Sequence, residues 1–280
     1  MIGLSSSWGG AQGMGIYESV KRIAGLGFKL IELGANHGYE EDIPATLRKI
    51  KRDFPGKQFT IHGYFPPISR DRVWVNPCLG LTALNRKILA KSFEAAKMVD
   101  ALVVGFHPGY LTIAETGGYE SKVIKGMYEF NTKGKIERKE GYANALKFYK
   151  LGLELSAESG IPFAVENVPF DYEPIFQTQK DYEDLLEKLP KLKLLYDIGH
   201  AQLVFPDPLW PLKYPSRIGE VHISDADVHD HMPLGTGKVK FKEILSQKSL
   251  KNVPCVFEYG ADVDEKELVR ERKMVEGLQA

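Results

Sequence analysis

Cysteine and long apolar segments are both scarce in this sequence of 280 residues. The two cysteines, Cys78 and Cys255, are too few and too far apart in the chain for a disulfide framework or a zinc site made of thiolates. No apolar run is long enough to span a bilayer, and no basic segment with a following apolar stretch precedes the first strand-like residues. We therefore expect a cytoplasmic protein with reduced thiols and no membrane segment.

Net charge is also missing, because 37 Lys and Arg residues balance 37 Asp and Glu residues. Proteins that bind nucleic-acid phosphates usually carry a basic excess, although a local basic patch can exist within a neutral total. A nucleic acid is therefore a less favoured partner, but it is not excluded. The composition, with 43% hydrophobic and 26% charged residues, is that of an ordinary folded protein.

Short apolar or β-branched segments alternate with longer segments of helical periodicity along the chain, which predicts an α/β fold with a parallel sheet. The eight predicted strands are residues 2–6, 30–33, 59–62, 101–107, 163–166, 194–197, 220–223 and 255–258. The predicted helices are residues 16–26, 43–54, 84–99, 142–159, 181–189, 242–247 and 264–278. Eight such units close naturally into a single (β/α)8 barrel, for which ~250 residues suffice, whereas the alternation alone also allows an open doubly wound sheet.

Two connections depart from the regular pattern. Residues 108–140 form a long connection that is first rich in Gly and then rich in Lys and Glu. We interpret it as a loop insertion over the barrel mouth, within one domain of residues 1–280. Residues 207–212 are expected to add a short turn before the seventh strand.

From the third strand onward, each predicted strand ends on a side chain that can bind a metal ion or carry a proton. These residues are His62, His107, Glu166, Asp197, His222 and Glu258. The C-terminal ends of parallel barrel strands meet on one face, so we expect the active site there. One histidine in such a place is often only a hydrogen-bonded structural residue, but six ligating side chains together indicate a functional site. Clustered carboxylates need a cation, and the mixture with imidazoles suits Zn²⁺ or Mn²⁺ better than Ca²⁺.

Two short segments add further candidates to this face. After the sixth strand, a turn through Gly199 is expected to present Asp197 and His200 to the same mouth. After the seventh strand, residues 222–231 contain six side chains able to ligate a metal ion, His229 and His231 among them. The alternative for this loop is a solvated acidic segment. His37 stands alone after the second strand, and a structural role is the more ordinary interpretation of it.

These segments resemble the xylose isomerase-like TIM-barrel superfamily, which contains endonuclease IV, tagatose epimerases and sugar-phosphate isomerases and epimerases. The resemblance covers essentially the whole chain. It is carried by residues 61–64, 106–109, 165–167, 196–200, 222–237 and 257–258.

The resemblance implies a metal site and a pair of catalytic residues. In epimerase-like members one metal ion is held at the positions that match Glu166, Asp197, His222 and Glu258, and the two glutamates also act as acid and base. In endonuclease IV a cluster of three zinc ions also uses the positions that match His62, His107, His200, His229 and His231. The position of His229 is an Asp in that enzyme, so that Asp227 or Asp230 substitutes here or the third ion is absent. One to three Zn²⁺ or Mn²⁺ ions are therefore expected.

Several sequence features favour a sugar or sugar-phosphate isomerase or epimerase that acts on a small carbohydrate. Residues 30–34 resemble the sugar-isomerase relatives, no Arg-rich loop follows the second strand, and residues 222–231 form a shorter loop than in endonuclease IV. The extra histidines favour the alternative, an endonuclease IV-like zinc-dependent phosphodiesterase for abasic sites. Against a tagatose-type epimerase, no Arg follows His222 closely.

A non-catalytic metal- or sugar-binding barrel is the third hypothesis, and the presence of both Glu166 and Glu258 argues against it. Aromatic residues near the mouth, including Phe65 and Tyr110, are able to stack on a ring or to pack in the barrel wall. The expected substrate contacts are Trp8, Tyr64, Asn167 and Asp230. The sequence leaves the oligomeric state open.

Overall fold

Eight parallel strands close into a barrel in the computed structural model, which describes residues 1–120, 128–169 and 172–279. Each strand pairs with its neighbours in chain order, and the first strand pairs with the eighth. The predicted (β/α)8 barrel of the α/β class is therefore confirmed, and the open sheet is excluded. The barrel strands are Ile2–Ser5, Leu30–Leu33, Gln58–His62, Val104–Phe106, Phe163–Glu166, Lys193–Asp197, Ile218–Ile223 and Cys255–Phe257.

The main helices surround the barrel and begin or end within a few residues of the predicted bounds. They are Ile16–Gly25, Ile43–Asp53, Ala83–Val99, Arg138–Ser159, Gln179–Lys188, Phe241–Leu245 and Glu265–Leu278. Two further short helices, Ser7–Ala11 and Ile198–Val204, follow the first and sixth strands and were not predicted. Short 3-10 segments lie at Pro77–Leu79, Trp210–Lys213, Pro215–Arg217 and Lys248–Leu250. No helix in the described part of the chain has the length and apolar character needed to cross a membrane.

The long connection after the fourth strand contains short antiparallel strand pairs. Thr112–Ala114 pairs with Thr132–Lys135, and Tyr119–Glu120 pairs with Tyr128–Glu129. Residues 121–127 of the predicted insertion lie outside the described residues. Residues 129–132 line the cavity at the barrel mouth, so this part of the connection borders the site.

Aromatic packing fixes the fourth and fifth strands, whose C-terminal ends lead into the site. The ring of Phe106 packs on Phe148, and that of Phe163 packs on Phe93, with centroid distances of 5.4 and 5.9 Å. A Cβ at Gly152 would lie 2.3 Å from the ring of Phe163, so only glycine allows the helix to approach the strand this closely. Burying one such ring contributes roughly 1.5–3 kcal/mol, which holds the strand ends in place.

Candidate metal centre

The C-terminal ends of the barrel strands bring the predicted ligand side chains together in three groups. Within each group the potential ligand atoms lie within 4.8 Å of one another. We call them the central group (Glu166, Asp197, His222 and Glu258), the second group (His62, His107 and Glu166) and the third group (His200, Asp230 and His231). Glu166 belongs to two groups, so the central and second groups share a carboxylate.

The central group is buried and has unpaired ligand atoms. Nδ1 of His222 lies 2.8 Å from Oε2 of Glu258, 3.6 Å from Oε1 of Glu166 and 3.8 Å from Oδ2 of Asp197. Neither Oε1 of Glu166 nor Oδ2 of Asp197 accepts a hydrogen bond. A buried oxygen without a partner is costly, and a divalent cation between these atoms would satisfy both. The residues present therefore fit a metal ion.

The charges in the central group fit the same conclusion. Burial, with a contribution from Glu166, raises the pKa of Asp197 to about 6. Burial alone would lower the pKa of His222, but the carboxylates of Glu32 and Glu258 raise it well above its usual value. Carboxylates this close repel one another, so a cation is needed to keep them ionised. The raised pKa of His222 favours the charged form of its imidazole beside these carboxylates.

In the second group both histidines contact the same carboxylate oxygen. Nε2 of His62 lies 2.9 Å and Nε2 of His107 lies 3.3 Å from Oε2 of Glu166. Burial lowers the pKa of His107 to about 4, so this imidazole is neutral at pH 7. Burial also disfavours a charged His62, but Glu166 outweighs it and raises the pKa of His62 to about 9. The neutral form that a metal ion requires is therefore already present at His107.

The third group contains Asp230 rather than His229. Nε2 of His200 lies 3.1 Å from Oδ2 of Asp230, and Nε2 of His231 lies 3.9 Å from the same oxygen. His229 lies outside the three groups, and its Nδ1 is 2.6 Å from the backbone carbonyl oxygen of Asp230. His231, which follows both candidates, has a positive φ of 55°. The carboxylate expected by the resemblance is thus present one position after His229.

Four of the histidines have a hydrogen-bond partner on one ring nitrogen. For His107, His222 and His231 this nitrogen faces away from the groups, whereas Nδ1 of His200 also lies 3.2 Å from Oε1 of Glu166. The partners are the Tyr110 hydroxyl for Nδ1 of His107 (2.7 Å), the Asn167 carbonyl for Nδ1 of His200 (2.9 Å), the Glu258 carbonyl for Nδ1 of His231 (3.0 Å) and the Glu32 carboxylate for Nε2 of His222 (2.8 Å). Such partners fix the ring orientation and leave the other nitrogen facing the centre.

The short helix after the sixth strand replaces the turn that was predicted through Gly199. Asp197 caps this helix, because its Oδ1 accepts a hydrogen bond of 2.7 Å from the backbone N–H of His200. A Cβ at Gly199 would lie 2.4 Å from Oγ of Ser224. The glycine therefore permits close packing against the seventh strand's loop, and the helix rather than a turn presents His200 to the centre.

The loop that follows the seventh strand is anchored by Asp225, which is 1% exposed. Its carboxylate accepts hydrogen bonds from three backbone N–H groups, those of Ala226 (2.9 Å), Gly235 (2.8 Å) and Val239 (2.9 Å). Glu271 on the last helix adds a bond of 2.7 Å from the backbone N–H of Leu234. These bonds close the loop at its base and so position Asp230 and His231.

The predicted substrate contacts do not all face the cavity, which has a volume of about 1330 Å³. Tyr64 and Asp230 line it, whereas Trp8 is buried in the core and its indole N–H donates to the carbonyl of Val263 at 2.8 Å. Both amide atoms of Asn167 bind the backbone of Asp197, at 2.8 and 3.0 Å. Burial thus removes Trp8 from the cavity, and Asn167 orients a neighbour instead.

Of three other residues considered in the sequence, two line the cavity and one lies in the core. Phe65 is fully buried in the core. Tyr110 lines the cavity. His37 also lines it, but the imidazole binds Oγ of Ser6 at 2.9 Å and lies outside the three groups.

The mouth of the cavity has an aromatic side and cationic residues. The ring of Trp74 packs against Tyr110, Phe130 and Tyr172, each with a centroid distance of 5.1 Å. Arg70 and Arg72 also line the cavity. A ligand in this cavity would meet apolar rings and positive charge close to the ligand groups.

Two buried carboxylates near the centre were not predicted. Glu32 and Glu220 lie inside the barrel and are fully buried, and Glu32 contacts His222. Both interrupt strands whose other residues are largely apolar, and a charged residue inside a buried strand is the sequence signal that could have identified them.

Comparisons with known proteins agree with the fold. A curated protein of Methanocaldococcus jannaschii, described only as uncharacterized, is 27% identical over 168 residues, which are 58% of this chain and 55% of that protein. The chain thus spans about half the length of this relative.

Among solved structures, an L-ribulose 3-epimerase has a TM-score of 0.72 at 16% identity. The alignment covers 99% of this chain and 93% of the epimerase chain. A family 2 AP endonuclease from Brucella melitensis has a TM-score of 0.69 at 14% identity and covers 95% of this chain and 96% of its own. At these identities the likeness shows the fold alone.

A family model described as the xylose isomerase-like TIM barrel matches residues 20–278. The match includes every side chain of the three ligand groups. It also spans all the barrel strands except the first. The chain therefore belongs to the xylose isomerase-like TIM barrel family.

Proposed function

We propose that this protein is a hydrolase of phosphate esters that uses two or three divalent metal ions, with Zn²⁺ or Mn²⁺ as the metal. The observation that supports the proposal is the set of three adjacent ligand groups, two of which share Glu166. A single-metal isomerase needs only the central group. The second and third groups, with Asp230 completing the third, favour hydrolysis over sugar isomerisation.

The ligand assignment follows the three groups. Glu166 has one oxygen toward the central group and one toward the second, so it would contribute a ligand atom to each. Bound together, such ions activate a water molecule and neutralise the charge on the oxygens of a phosphoryl group. The three groups are thus suited to attack on a phosphate ester.

The cavity supports a small phosphate ester as the substrate. Arg70 and Arg72 place positive charge at the mouth, and the rings of Tyr64 and Tyr110 lie beside His107. Charge-assisted hydrogen bonds from Arg suit a phosphate, and aromatic rings suit the organic group that it carries. Because the chain has no net charge, tight binding to a long duplex is not expected.

Metal-dependent isomerisation or epimerisation of a sugar or sugar phosphate is the second candidate. It is favoured by the positions of Glu166 and Glu258, whose carboxylates lie 3.6 and 2.8 Å from the same nitrogen of His222. Two carboxylates beside one metal ion are suited to remove a proton from carbon and return it.

Metal analysis together with two assays separates the candidates. The protein loaded with Zn²⁺ or Mn²⁺ is incubated with bis(p-nitrophenyl) phosphate and with a duplex that carries one abasic site. It is also incubated with a panel of ketoses and their phosphates in deuterated water. We expect two or three ions per chain and hydrolysis of the diester that stops when a chelator is added.

The variant Asp230→Asn distinguishes the two reactions. It alters the third group, so hydrolysis should fall by at least about tenfold, whereas epimerisation through the central group should continue. Deuterium incorporation into a ketose, without any phosphatase or nuclease activity, would reject the hydrolase in favour of the second candidate.

A further inference from the structure

Glu32 lies on the second barrel strand, on the side of His222 that faces away from the cavity. Oε2 of Glu32 is 2.8 Å from Nε2 of His222, and both side chains are fully buried. The strand around Glu32 is buried at every position, so the carboxylate is in the barrel interior and not at the surface. Its position between apolar neighbours requires a specific electrostatic partner, and His222 supplies it.

The direction of this contact determines which nitrogen of His222 faces the central group. A carboxylate accepts hydrogen bonds and does not donate them when ionised. Nε2 of His222 must therefore carry the proton, and Nδ1 is directed to the carboxylates of Glu166 and Glu258. Without an acceptor behind the ring, neither the tautomer nor the ring orientation would be fixed.

Glu32 also differs in kind from the groups that orient the other histidines. Of the four histidines with such a partner, His222 is paired with a carboxylate that lies outside the three ligand groups, whereas a hydroxyl or a backbone carbonyl binds the other three. A charged acceptor increases the electron density at the opposite nitrogen and so strengthens its bond to a metal ion. The central group is thus built to bind a cation more tightly than a neutral partner would allow.

We propose that Glu32 is a positioning residue that fixes His222 for metal binding and makes the central group the tightest of the three metal sites. The proposal rests on the proposed function, because it requires that the central group binds a divalent ion. In this role Glu32 is not itself a ligand of the ion. Its effect passes through the imidazole of His222.

Two substitutions at Glu32 test the proposal, with a matched control at Glu220. Glu32→Leu removes the acceptor, and Glu32→Gln keeps a neutral acceptor of similar size. Glu220→Gln changes a second fully buried carboxylate, which lies within 4.8 Å of ligand atoms of Glu32 and His222 but forms no hydrogen bond with either. Zn²⁺ is titrated into each full-length, metal-free variant in competition with a chromophoric chelator.

We expect the tightest Zn²⁺ binding step to weaken by about 10–100-fold in Glu32→Leu and by a smaller factor in Glu32→Gln. Glu220→Gln should bind Zn²⁺ as the unmodified protein does. Nitrogen NMR of histidine-labelled, zinc-loaded protein should show His222 protonated at Nε2, and this hydrogen-bonded proton should disappear from the spectrum in Glu32→Leu.

The NMR measurement on the unmodified protein keeps the test valid if Glu32→Leu does not fold. A zinc-loaded His222 protonated at Nδ1, or an unchanged tightest binding step in a folded Glu32→Leu, would overturn the positioning role. Absence of a metal site in the central group has a different result. In that case Asp197→Asn and Glu258→Gln would leave Zn²⁺ binding unchanged, because the central group would not be the metal site. Failure of the hydrolase assignment alone leaves this test unchanged, because both candidate reactions use the central group.

Discussion

Replacing Asp225 by alanine removes the acceptor of three backbone N–H groups that close the loop after the seventh strand. Asp225 is 1% exposed, so water does not readily replace its carboxylate. Each hydrogen bond to a charged group contributes about 1.5–3 kcal/mol, but three bonds to one carboxylate are not additive. We therefore expect Asp225→Ala to lower the free energy of unfolding by about 3–5 kcal/mol. For a chain of this size, this corresponds to a fall in Tm of roughly 6–10 °C.

Asp227→Ala is the matched control, because it changes the same residue type in the same loop. Its carboxylate pairs with Lys238 at 2.6 Å, and the two side chains are 36% and 68% exposed. Such surface pairs contribute about 0–1 kcal/mol.

Urea unfolding and calorimetry compare the two variants, and metal analysis is performed on the folded proteins. Asp225→Ala should also lose metal from the third group, because the loop carries Asp230 and His231. Equal unfolding free energies for Asp225→Ala and Asp227→Ala would refute the anchoring role of Asp225.

Three further predictions concern the loop, the last helix and the third group. Asp230→Asn should weaken metal binding by at least about tenfold, whereas His229→Asn should leave it unchanged. The metal content of each variant is measured after gel filtration, and the reverse result would exclude Asp230 as the ligand. Burial raises the pKa of Glu271 to about 7, and this effect outweighs the hydrogen bonds from Tyr259 and Leu234, which lower the pKa. The carboxyl group of Glu271 therefore binds its proton more tightly in the folded state than in the unfolded chain. Stability from this group, up to about 3 kcal/mol, is then complete below pH ~4.5 and is lost as the pH rises to about 7. Glu271→Gln should flatten the decline of Tm between pH 5 and 8, and an unchanged slope would contradict this account. Gly237→Ala should destabilise the protein by about 1–3 kcal/mol, because its Cβ would lie 2.5 Å from the carboxylate of Asp225 that anchors the loop. A Cβ at Gly277 has no neighbour within 4 Å, so the control Gly277→Ala should not lower the Tm in thermal unfolding.

The barrel and the convergence of the strand ends could be predicted because both follow from periodicity. His62, Glu166 and Asp197 are the last residues of their strands, and parallel strands of a barrel place such residues on one face. The ends of the elements were less predictable. The helix after Asp197 is one example, because a capping side chain and a close contact of Gly199 determine it, and neither is visible in hydrophobic spacing.

The parts of the site that depend on long-range contacts or loop conformation were not predictable. Glu32 lies 190 positions from His222, and the alternation of strands gives no information on which interior side chains meet. The choice between His229 and Asp230 depends on the conformation of the loop, in which Nδ1 of His229 lies 2.6 Å from the carbonyl oxygen of Asp230. Adjacent ligating residues in a loop cannot be ranked by sequence spacing, since a change in one dihedral angle reverses which of them faces inward.

The carboxylate of Glu166 has one oxygen near both histidines of the second group and the other oxygen in the central group. If both groups bind ions, as proposed, their occupancy is linked, since an ion in one group would fix the shared side chain and change the affinity for an ion in the other. Titrations with metal ions should then give interdependent steps rather than independent sites. In mixed-metal preparations, the identity of the ion in one group should therefore influence which ion the other group retains.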